Sequence, residues 1–571
     1  MRHSKMRAAI IALLLSSFLT GILVGGRSEQ KVFAQPKTPG SKISKDLLDK
    51  IRSNPGAKIP VIIQTPNAPG RGLLAAITSA GGSVRKTYAN VYAISLELPA
   101  VVVAVLARRF DIRYMSLDRE TQATGHLETA TGADLVRGYV SPTSGTINGN
   151  GIGIAILDSG VYASHHSLSG RVAASVDFTG EGRTDDPYGH GTHVAAVAAG
   201  NSHVSRSYAG IAPAARIINV RVLNSQGRGS VSAAIAGIDW CITNKAAYNI
   251  RVLNISLGAP AIDSYADDPL CQAVRRAFNA GLVVCVAAGN SGKDANGNKI
   301  YGGIHSPGIE PSAITVGAAN TFGTNMRSDD KVATFSSRGP TRGYATDAQG
   351  VRHYDNLIKP DLVAPGNRII SAQSPNNLLL NATPSLHAPV STYTPHKMMY
   401  MSGTSMASPA VAGAAALVLQ RNPYLTPNLV KAVLQYTAQP LAGFNTLEQG
   451  AGLLNVEGAV RLTGSIRQDL SGLTKGAPLL TGAAPAQTTT IAGASYSWGK
   501  GILQKWNFIT GNHLILKYQG SYGTGVLLAD GVLLADGALL ADGALLADGV
   551  LLADGVLLAA GTLLADGVLL A

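Results

Sequence analysis

Short apolar runs alternate with longer amphipathic segments between residue 149 and about residue 460. Four of the runs have the length and the Val, Ile and Leu content of strands that are buried on both faces: IGIAILD, ARIINVRVL, VLNISLG and LVVCVAAGN. Segments with helical periodicity lie between them, such as VSAAIAGIDWCITNKA and PLCQAVRRAFNAG. The alternation predicts one α/β domain, doubly wound around a mostly parallel sheet. Ligands bind beyond the carboxyl ends of the strands in such sheets, so the residues that end these runs are the first candidates for chemistry.

A different pattern precedes this domain. Residues 40–120 contain the strand patterns VIIQT and VYAISLELP beside helical segments, which predicts a small α+β unit. At the start of the chain, three basic residues precede an apolar run from Ala8 to Val24, and Ala34 ends a motif typical of a cleavage site. This layout predicts a secretory signal peptide over residues 1–34. An uncleaved membrane anchor is the alternative, because the apolar run is nearly long enough to cross the hydrocarbon core.

The pattern changes again after residue 463. Residues 464–524 are rich in Gly, Ala and Thr, which predicts a linker or a small extension. Residues 525–571 repeat a hexapeptide of the form GVLLAD. The period fits one side of a β-solenoid with inward-facing Leu residues, and an unfolded low-complexity tail is the alternative. Because exposed Leu-rich segments associate readily, we expect the repeats to promote self-association or attachment to the cell surface.

Composition and charge exclude several classes of protein. A hydrophobic fraction of 46% excludes a disordered chain, and 3 cysteines are too few for a disulfide scaffold. The three cysteines are odd in number, so at least one thiol stays free or pairs between molecules, and we assign no disulfide bridge. The formal charge is +13, but residues 1–125 hold 18 Lys or Arg and 7 Asp or Glu, so most of the excess lies there. The rest of the chain is nearly neutral, so we expect no nucleic-acid partner.

Three polar residues stand where apolar elements begin or end. Asp158 ends the run IGIAILD, His190 precedes a helical run in GHGTHVAAVAAG, and Ser405 enters a helix of small residues in SGTSMASPAVAG. A serine hydroxyl is a weak nucleophile and needs an adjacent base that an acid orients. Ser405 at a helix N-terminus also offers a backbone N–H to a developing oxyanion, and Asn290 is a second candidate donor.

Each of these residues also has a purely structural explanation. An Asp at a strand end is usually a turn or capping residue, and a Ser before a helix is usually an N-cap. His190 and His193 have a spacing that allows metal binding, but no HExxH motif or cysteine pair accompanies them. GNGIGIA precedes its strand, unlike a dinucleotide-binding loop, and GTSMA does not match the G-x-S-x-G motif of α/β-hydrolases. Taken singly, the signals do not decide the function.

Taken together, the motifs resemble those of the subtilisin-like serine proteases, the subtilases of peptidase family S8. The matching strings are AILDSG, GHGTHVAAVAAG, VLNISLG, VVCVAAGN and SGTSMASPAVAG, and they occur in that order. FSSRGP and KPDLVAPG add agreement between the sites. The resemblance covers residues 125–463 and implies a subtilisin-like catalytic domain.

The resemblance implies a role for each candidate residue. Asp158 would orient the imidazole, His190 would be the general base and acid, Ser405 the nucleophile, and Asn290 the side-chain donor to the oxyanion. It also implies the two walls of the pocket that binds the residue before the scissile bond: Ser256, Leu257 and Gly258 on one side, Ala287, Ala288 and Gly289 on the other.

The floor of that pocket is less clear, because the aligned segment reads IHSPGIEP. His305 or Ser306 lies near the floor, so the side-chain preference stays open. By the same resemblance, Asp185 and Asp186 order the approach to His190. The chemistry needs no cofactor; the family resemblance allows structural calcium, but no ligands can be assigned.

The resemblance also implies that the chain is a preproenzyme. Residues 35–124 would be an inhibitory propeptide, removed by self-processing near residues 118–130, and a permanent accessory domain is the alternative. The expected product is a secreted serine endopeptidase that acts on proteins or peptides, inhibited intramolecularly by its own propeptide. Its activity should fall below about pH 6–7 as the catalytic His is protonated. The rival readings are a non-catalytic surface or binding protein on the same fold, and a maturation protease anchored in the membrane or cell envelope.

Overall fold

The computed structural model describes residues 42–118, 127–141 and 145–523, together with four dipeptides of the repeat, 535–536, 546–547, 553–554 and 564–565. The chain divides into two compact units, residues 1–122 and 123–571, and each is described by itself. The predicted signal peptide lies outside the described residues. Among the residues that are described, no helix is long and apolar enough to cross a membrane.

The first unit is a four-stranded antiparallel sheet with the order β2-β3-β1-β4 and three helices. Alternate residues of β1 are buried against the helices, whereas every residue of β2 is exposed, so the sheet has one apolar face. This is the α+β arrangement that the sequence pattern predicts; its role as a propeptide stays a prediction. Its elements are α1 (Lys45–Ser53), β1 (Lys58–Gln64), α2 (Arg71–Ser79), β2 (Ser83–Tyr88), β3 (Ala93–Pro99), α3 (Ala100–Leu106) and β4 (Tyr114–Leu117).

The second unit is built around an eight-stranded sheet with the order β13-β12-β11-β10-β7-β9-β8, in which β16 also pairs with β12. Every pair is parallel except β12 with β13, so the predicted mostly parallel α/β sheet is confirmed. The strands of this sheet are β7 (Gly153–Asp158), β8 (Val172–Asp177), β9 (Arg216–Arg221), β10 (Ile250–Ile255), β11 (Val283–Ala287), β12 (Ile314–Asn320), β13 (Lys331–Val332) and β16 (Leu362–Pro365).

Smaller strands and nine helices complete the described part of the second unit. The other strands are β5 (Val140–Ser141), β6 (Gly145–Thr146), β14 (Tyr344–Thr346), β15 (Arg352–Tyr354), β17 (Ile369–Ala372), β18 (His387–Ala388), β19 (Met398–Met401), β20 (Thr488–Ile491), β21 (Ala494–Ser497), β22 (Gly501–Gln504) and β23 (Asn507–Thr510). The helices are α4 (Leu127–Thr131), α5 (Gly191–Ala199), α6 (Val231–Tyr248), α7 (Pro269–Asn279), α8 (Leu378–Ala382), α9 (Thr404–Arg421), α10 (Pro427–Thr437), α11 (Thr446–Gln449) and α12 (Val456–Thr463).

Side chains of the central strands are buried on both faces of the sheet. In β7, Ile154 and Ile156 pack in the core that contains α5 and α9, whereas Ala155 and Leu157 pack in the core that contains α6 and α7. This two-sided burial explains why the strands appear as continuous apolar runs in the sequence. The carboxyl edge of the sheet is therefore the part of each strand that is available for polar groups.

Residues 464–523 pack against the same core as α9 and α10. Leu479, Trp498, Ile502 and Tyr522 are buried in this cluster, and the Trp498 ring meets Tyr436 of α10 edge to face, with centroids 6.3 Å apart. The segment adds two short hairpins, β20–β21 and β22–β23. These residues contribute to the core of the second unit.

The described dipeptides of the repeat form two parallel pairs. Ala535–Asp536 pairs with Ala553–Asp554, and Leu546–Ala547 pairs with Leu564–Ala565. Both pairs have an offset of 18 residues, which is three hexapeptides. The offset places the same repeat position on neighbouring strands in both cases.

Candidate active site

The three candidate catalytic residues lie on elements that begin or end at the carboxyl edge of the sheet. Asp158 is the last residue of β7, His190 immediately precedes α5, and Ser405 lies in the first turn of α9. β7 and β10 are parallel neighbours, with Leu157 opposite Ile255. Asp158 and the residue that follows β10, Ser256, therefore emerge side by side.

Asp158 holds the imidazole of His190 in place. His190 Nδ1 lies 2.7 Å from Asp158 Oδ1, and Asp158 is only 1% exposed. With Nδ1 as the donor in this hydrogen bond, Nε2 is left as a proton acceptor. Burial lowers the pKa of His190, but the charge of Asp158 and its hydrogen bond act in the opposite direction and leave the pKa above its usual 6.5.

A second buried carboxylate, Asp186, fixes the loop that leads to His190. It accepts hydrogen bonds from Ser159 Oγ and from the backbone N–H groups of Gly189 and Thr192, each at 2.8 Å. Asp185 instead forms a surface ion pair with Arg183. The approach to His190 is thus ordered by Asp186, one of the two residues that the sequence singled out.

Ser405 and Ser256 exchange two hydrogen bonds. Ser405 Oγ donates to the Ser256 carbonyl at 3.1 Å, and Ser256 Oγ donates to the Ser405 carbonyl at 2.9 Å. The second bond has a clear cause, because Pro409 lies four residues further along α9 and has no N–H for the Ser405 carbonyl. In the described residues Ser405 does not bond to His190; such bonds often form only with substrate present.

The amide of Asn290 has a fixed orientation beside Ser405. Its Oδ1 accepts hydrogen bonds from the backbone N–H of Thr404 at 2.9 Å and from the Thr404 hydroxyl at 3.2 Å. Its Nδ2 has no acceptor among the described residues. Asn290 therefore presents a free N–H donor next to the first turn of α9, whose backbone N–H groups also lack intrahelical partners.

The six predicted pocket residues follow two adjacent strands. Ser256, Leu257 and Gly258 follow β10, and Ala287, Ala288 and Gly289 end or follow β11, which pairs with β10 in parallel. His305 donates its backbone N–H to the Ala288 carbonyl at 3.1 Å, and Ser306 pairs with Ala259. The two walls and the segment around His305 thus converge.

A cleft of about 320 Å³ opens beside His190 and Ser256. Its other side chains are mostly apolar: Val222, Leu223, Val231, Ala234, Leu257 and Leu270. A groove of this kind suits the side chains of an extended peptide.

Two buried residues that connect the elements of the site, Asn254 and Ser408, did not stand out as candidates in the sequence. Asn254 accepts a hydrogen bond from Ser408 Oγ at 2.8 Å and donates to Ser256 Oγ at 2.9 Å. It is fully buried and links β10 to the helix that carries Ser405. The signal was present, because Asn254 is a polar residue inside the apolar run VLNISLG.

His193, Cys241 and Cys285 take no part in this site, whereas Cys271 Sγ lies 3.8 Å from Ser306 Oγ beside the predicted pocket. His193 is buried with Nε2 3.1 Å from the Ile369 carbonyl, and burial lowers its pKa to about 3. The three cysteines are buried and free. Among the described residues no three His, Cys, Asp or Glu side chains are grouped to hold a metal ion, so no calcium ligands are assigned.

Comparison with known proteins places these features in one family. Residues 149–459 match the model of the Subtilase family. The chain is 39% identical over 375 residues to the serine protease AprX of Bacillus subtilis, covering 63% of this chain and 77% of AprX. It is 34% identical over 367 residues to an extracellular serine proteinase of a Thermus species, covering 63% and 74%. It is 34% identical over 314 residues to subtilisin DY of Bacillus licheniformis, covering 55% and 92%.

Proposed function

The chain belongs to the subtilase family of serine proteases, and from this premise we propose that Asp158, His190 and Ser405 are the catalytic triad of a secreted enzyme. Membership makes the chain a serine endopeptidase with protein substrates. The observation that carries the residue assignment is the 2.7 Å bond between His190 and Asp158 at the sheet edge where Ser405 and Asn290 also lie. The alternative of a non-catalytic protein is not favoured, since all four residues are present.

In the first half of the reaction Ser405 attacks the carbonyl of the scissile bond. The hydroxyl turns from the Ser256 carbonyl toward His190, whose Nε2 takes the proton as the new C–O bond forms. Asp158 stabilises the imidazolium that results and keeps Nδ1 as the donor. His190 then gives the proton to the leaving amine, and the acyl group stays on Ser405.

The developing oxyanion is stabilised by Nδ2 of Asn290 and by the backbone N–H of Ser405. Both donors are preorganised, because Thr404 fixes the Asn290 amide and the helix α9 fixes the backbone. In the second half, His190 activates water, which releases the acyl group from Ser405. In this family the chemistry proceeds without a cofactor.

The proposal also covers how the enzyme matures and where it acts. The one-sided α+β unit of residues 42–118 is the inhibitory propeptide, and the enzyme removes it by its own activity. Residues 1–34 direct export, in agreement with the extracellular relative from Thermus. Removal of the signal segment and the propeptide also removes most of the net positive charge, because residues 1–125 hold 18 Lys or Arg against 7 Asp or Glu and the whole chain has a formal charge of +13.

The repeats are proposed to promote self-association or attachment to the cell surface. The parallel pairing at an offset of 18 residues favours the solenoid alternative, with three hexapeptides in each coil. Truncation after Gly523, which keeps the buried Tyr522 and removes the repeats, should reduce the oligomeric state, measured by sedimentation, or the fraction retained on cells. An unchanged oligomer and unchanged retention would contradict this part of the proposal.

Self-processing is tested by intact mass and N-terminal sequencing of the secreted wild type and Ser405→Ala. The wild type should begin near residues 118–130, and Ser405→Ala should keep residues 35–117. Ser328→Ala is the matched control, since Ser328 is exposed in the same unit, and it should be processed like the wild type. Equal trimming of wild type and Ser405→Ala would assign maturation to another protease, and no trimming of the wild type would reject the propeptide.

A further inference from the structure

The backbone around His305 closes the space between the two pocket walls. The N–H of His305 donates to the Ala288 carbonyl at 3.1 Å, which ties this segment to the wall that follows β11. The neighbouring Ser306 exchanges two hydrogen bonds of 2.9 Å with Ala259, which continues the wall that follows β10. His305 is therefore held between the walls, at the base of the slot that they form.

The imidazole of His305 occupies this slot. A Cβ built on Gly289 would lie 3.0 Å from Cγ and Cδ2 of the ring, and a Cβ built on Gly258 would lie 3.1 Å from the Cβ of His305. Gly289 also has φ +104°, a conformation that other residues rarely adopt. The ring thus reaches both walls because each wall has a glycine at the point of contact.

The ring is held at its far end as well. His305 Nε2 lies 3.1 Å from Ser291 Oγ, so the imidazole is joined to the residue that follows Asn290. On either side along the chain, Ile304 and Ser306 are each only 2% exposed, which restricts movement of the backbone. Burial also lowers the pKa of His305 below its usual 6.5, so the ring is neutral at neutral pH.

We infer that His305 sets the preference of the enzyme for small side chains at P1, the residue whose carbonyl is attacked. A large aromatic P1 side chain needs the volume between Gly258 and Gly289 that the imidazole fills, whereas an alanine side chain does not. The inference rests on the proposed function, because Ser405 and Asn290 mark where the P1 carbonyl binds.

The test is a pair of peptide p-nitroanilides with the sequence Ala-Ala-Pro-X, where X is Ala or Phe. For the wild type, kcat/KM with Ala should exceed that with Phe by about tenfold or more. His305→Gly should raise kcat/KM with Phe by about tenfold or more and leave the value with Ala within about threefold. His305→Ala, which removes the ring and keeps the Cβ, should change the ratio in the same direction if the glycine variant does not fold.

His203→Gly is the matched control, because His203 lies exposed on a surface loop, and it should leave the ratio of the two substrates unchanged. Equal turnover of Ala and Phe by the wild type, or an unchanged ratio in both His305 variants, would overturn the inference while leaving the proposed function intact. A wild type that cleaves neither substrate and carries no reactive serine would overturn the proposed function and, with it, this inference.

Discussion

The sheets of the two units differ in the polar groups that they bury. Among the described residues of the first unit, the buried polar side chains are the hydroxyls of Ser44, Thr65 and Ser95. The second unit buries carboxylates and amides at the edge of its sheet, among them Asp158 and Asn254. Buried charges cost free energy unless they are paired. The second unit buries these groups despite their cost in free energy, and it is also the unit in which we locate the chemistry.

A comparison within the second unit separates two kinds of buried carboxylate. Asp361 immediately precedes β16 and has each oxygen near an ammonium group: Oδ2 is 2.6 Å from Lys359 Nζ and Oδ1 is 2.9 Å from Lys431 Nζ. Asp158 bonds through Oδ1, and its Oδ2 has no partner among the described residues. Full pairing indicates a structural role for Asp361. Asp158 is instead paired with one titrating group, the imidazole of His190.

The largest expected effects come from exchanging these two carboxylates for amides. Asp158→Asn should lower kcat about 10⁴-fold, since His190 loses the partner that fixes its tautomer, with little change in stability. Asp361→Asn should leave kcat near the wild-type value and destabilise the fold by about 3–5 kcal/mol, because two buried ammonium groups lose their counter-charge. Steady-state kinetics and denaturant unfolding measure both. If Asp361→Asn lost the activity and Asp158→Asn kept it, the distinction would be wrong.

The next effect concerns the oxyanion donor. Asn290→Ala should lower kcat about 10²–10³-fold with a small change in KM, because the amide acts on the charge that develops in the transition state. Asn296→Ala, on an exposed loop of the same unit, serves as the control and should be indistinguishable from wild type. An effect of Asn290→Ala confined to KM would argue for ground-state binding instead.

Replacement of Trp498 tests whether residues 464–523 are needed for the fold of the second unit. Trp498→Ala should destabilise the second unit by about 3–5 kcal/mol, as expected for a buried aromatic side chain. Tyr424→Ala is the control, since Tyr424 is 61% exposed, and it should shift the unfolding midpoint little. The same small shift for both variants would mean that residues 464–523 are dispensable for the fold.

The smallest effect is on the pH profile. Because Asp158 holds the pKa of His190 above 6.5, kcat/KM should fall as pH decreases through a midpoint above 6.5, about tenfold per unit below it. Kinetics between pH 5 and 9 at constant ionic strength measure this limb. A midpoint at or below 6.5, or activity unchanged from pH 5 to 8, would contradict the influence of Asp158 on His190.

The strands of the central sheet were predictable, because burial on both faces requires a continuous run of apolar residues. The residues of the proposed triad could be singled out from the sequence, because each lies at the boundary of an apolar element, and their catalytic roles stay a proposal. The hydrogen bond from Ser256 Oγ to the Ser405 carbonyl could not be predicted, since it depends on the missing N–H of Pro409 in a distant helix.

The packing of residues 464–523 against the core could not be predicted from the sequence either. Composition alone left a linker and a small extension as alternatives, because Gly, Ala and Thr carry little periodic signal. The segment is anchored by a few large side chains, above all Trp498, whose partners lie on α10 and α12. The ring position of His305 likewise depends on two glycines that are far from it in sequence.

The most direct test of the central claim is labelling with a serine-directed fluorophosphonate followed by peptide mapping. We expect one adduct, on Ser405, that is absent from Ser405→Ala and forms more slowly in His190→Ala because the hydroxyl loses its base. Labelling of a different serine, or equal labelling of Ser405→Ala and wild type, would contradict the assignment of Ser405 as the nucleophile.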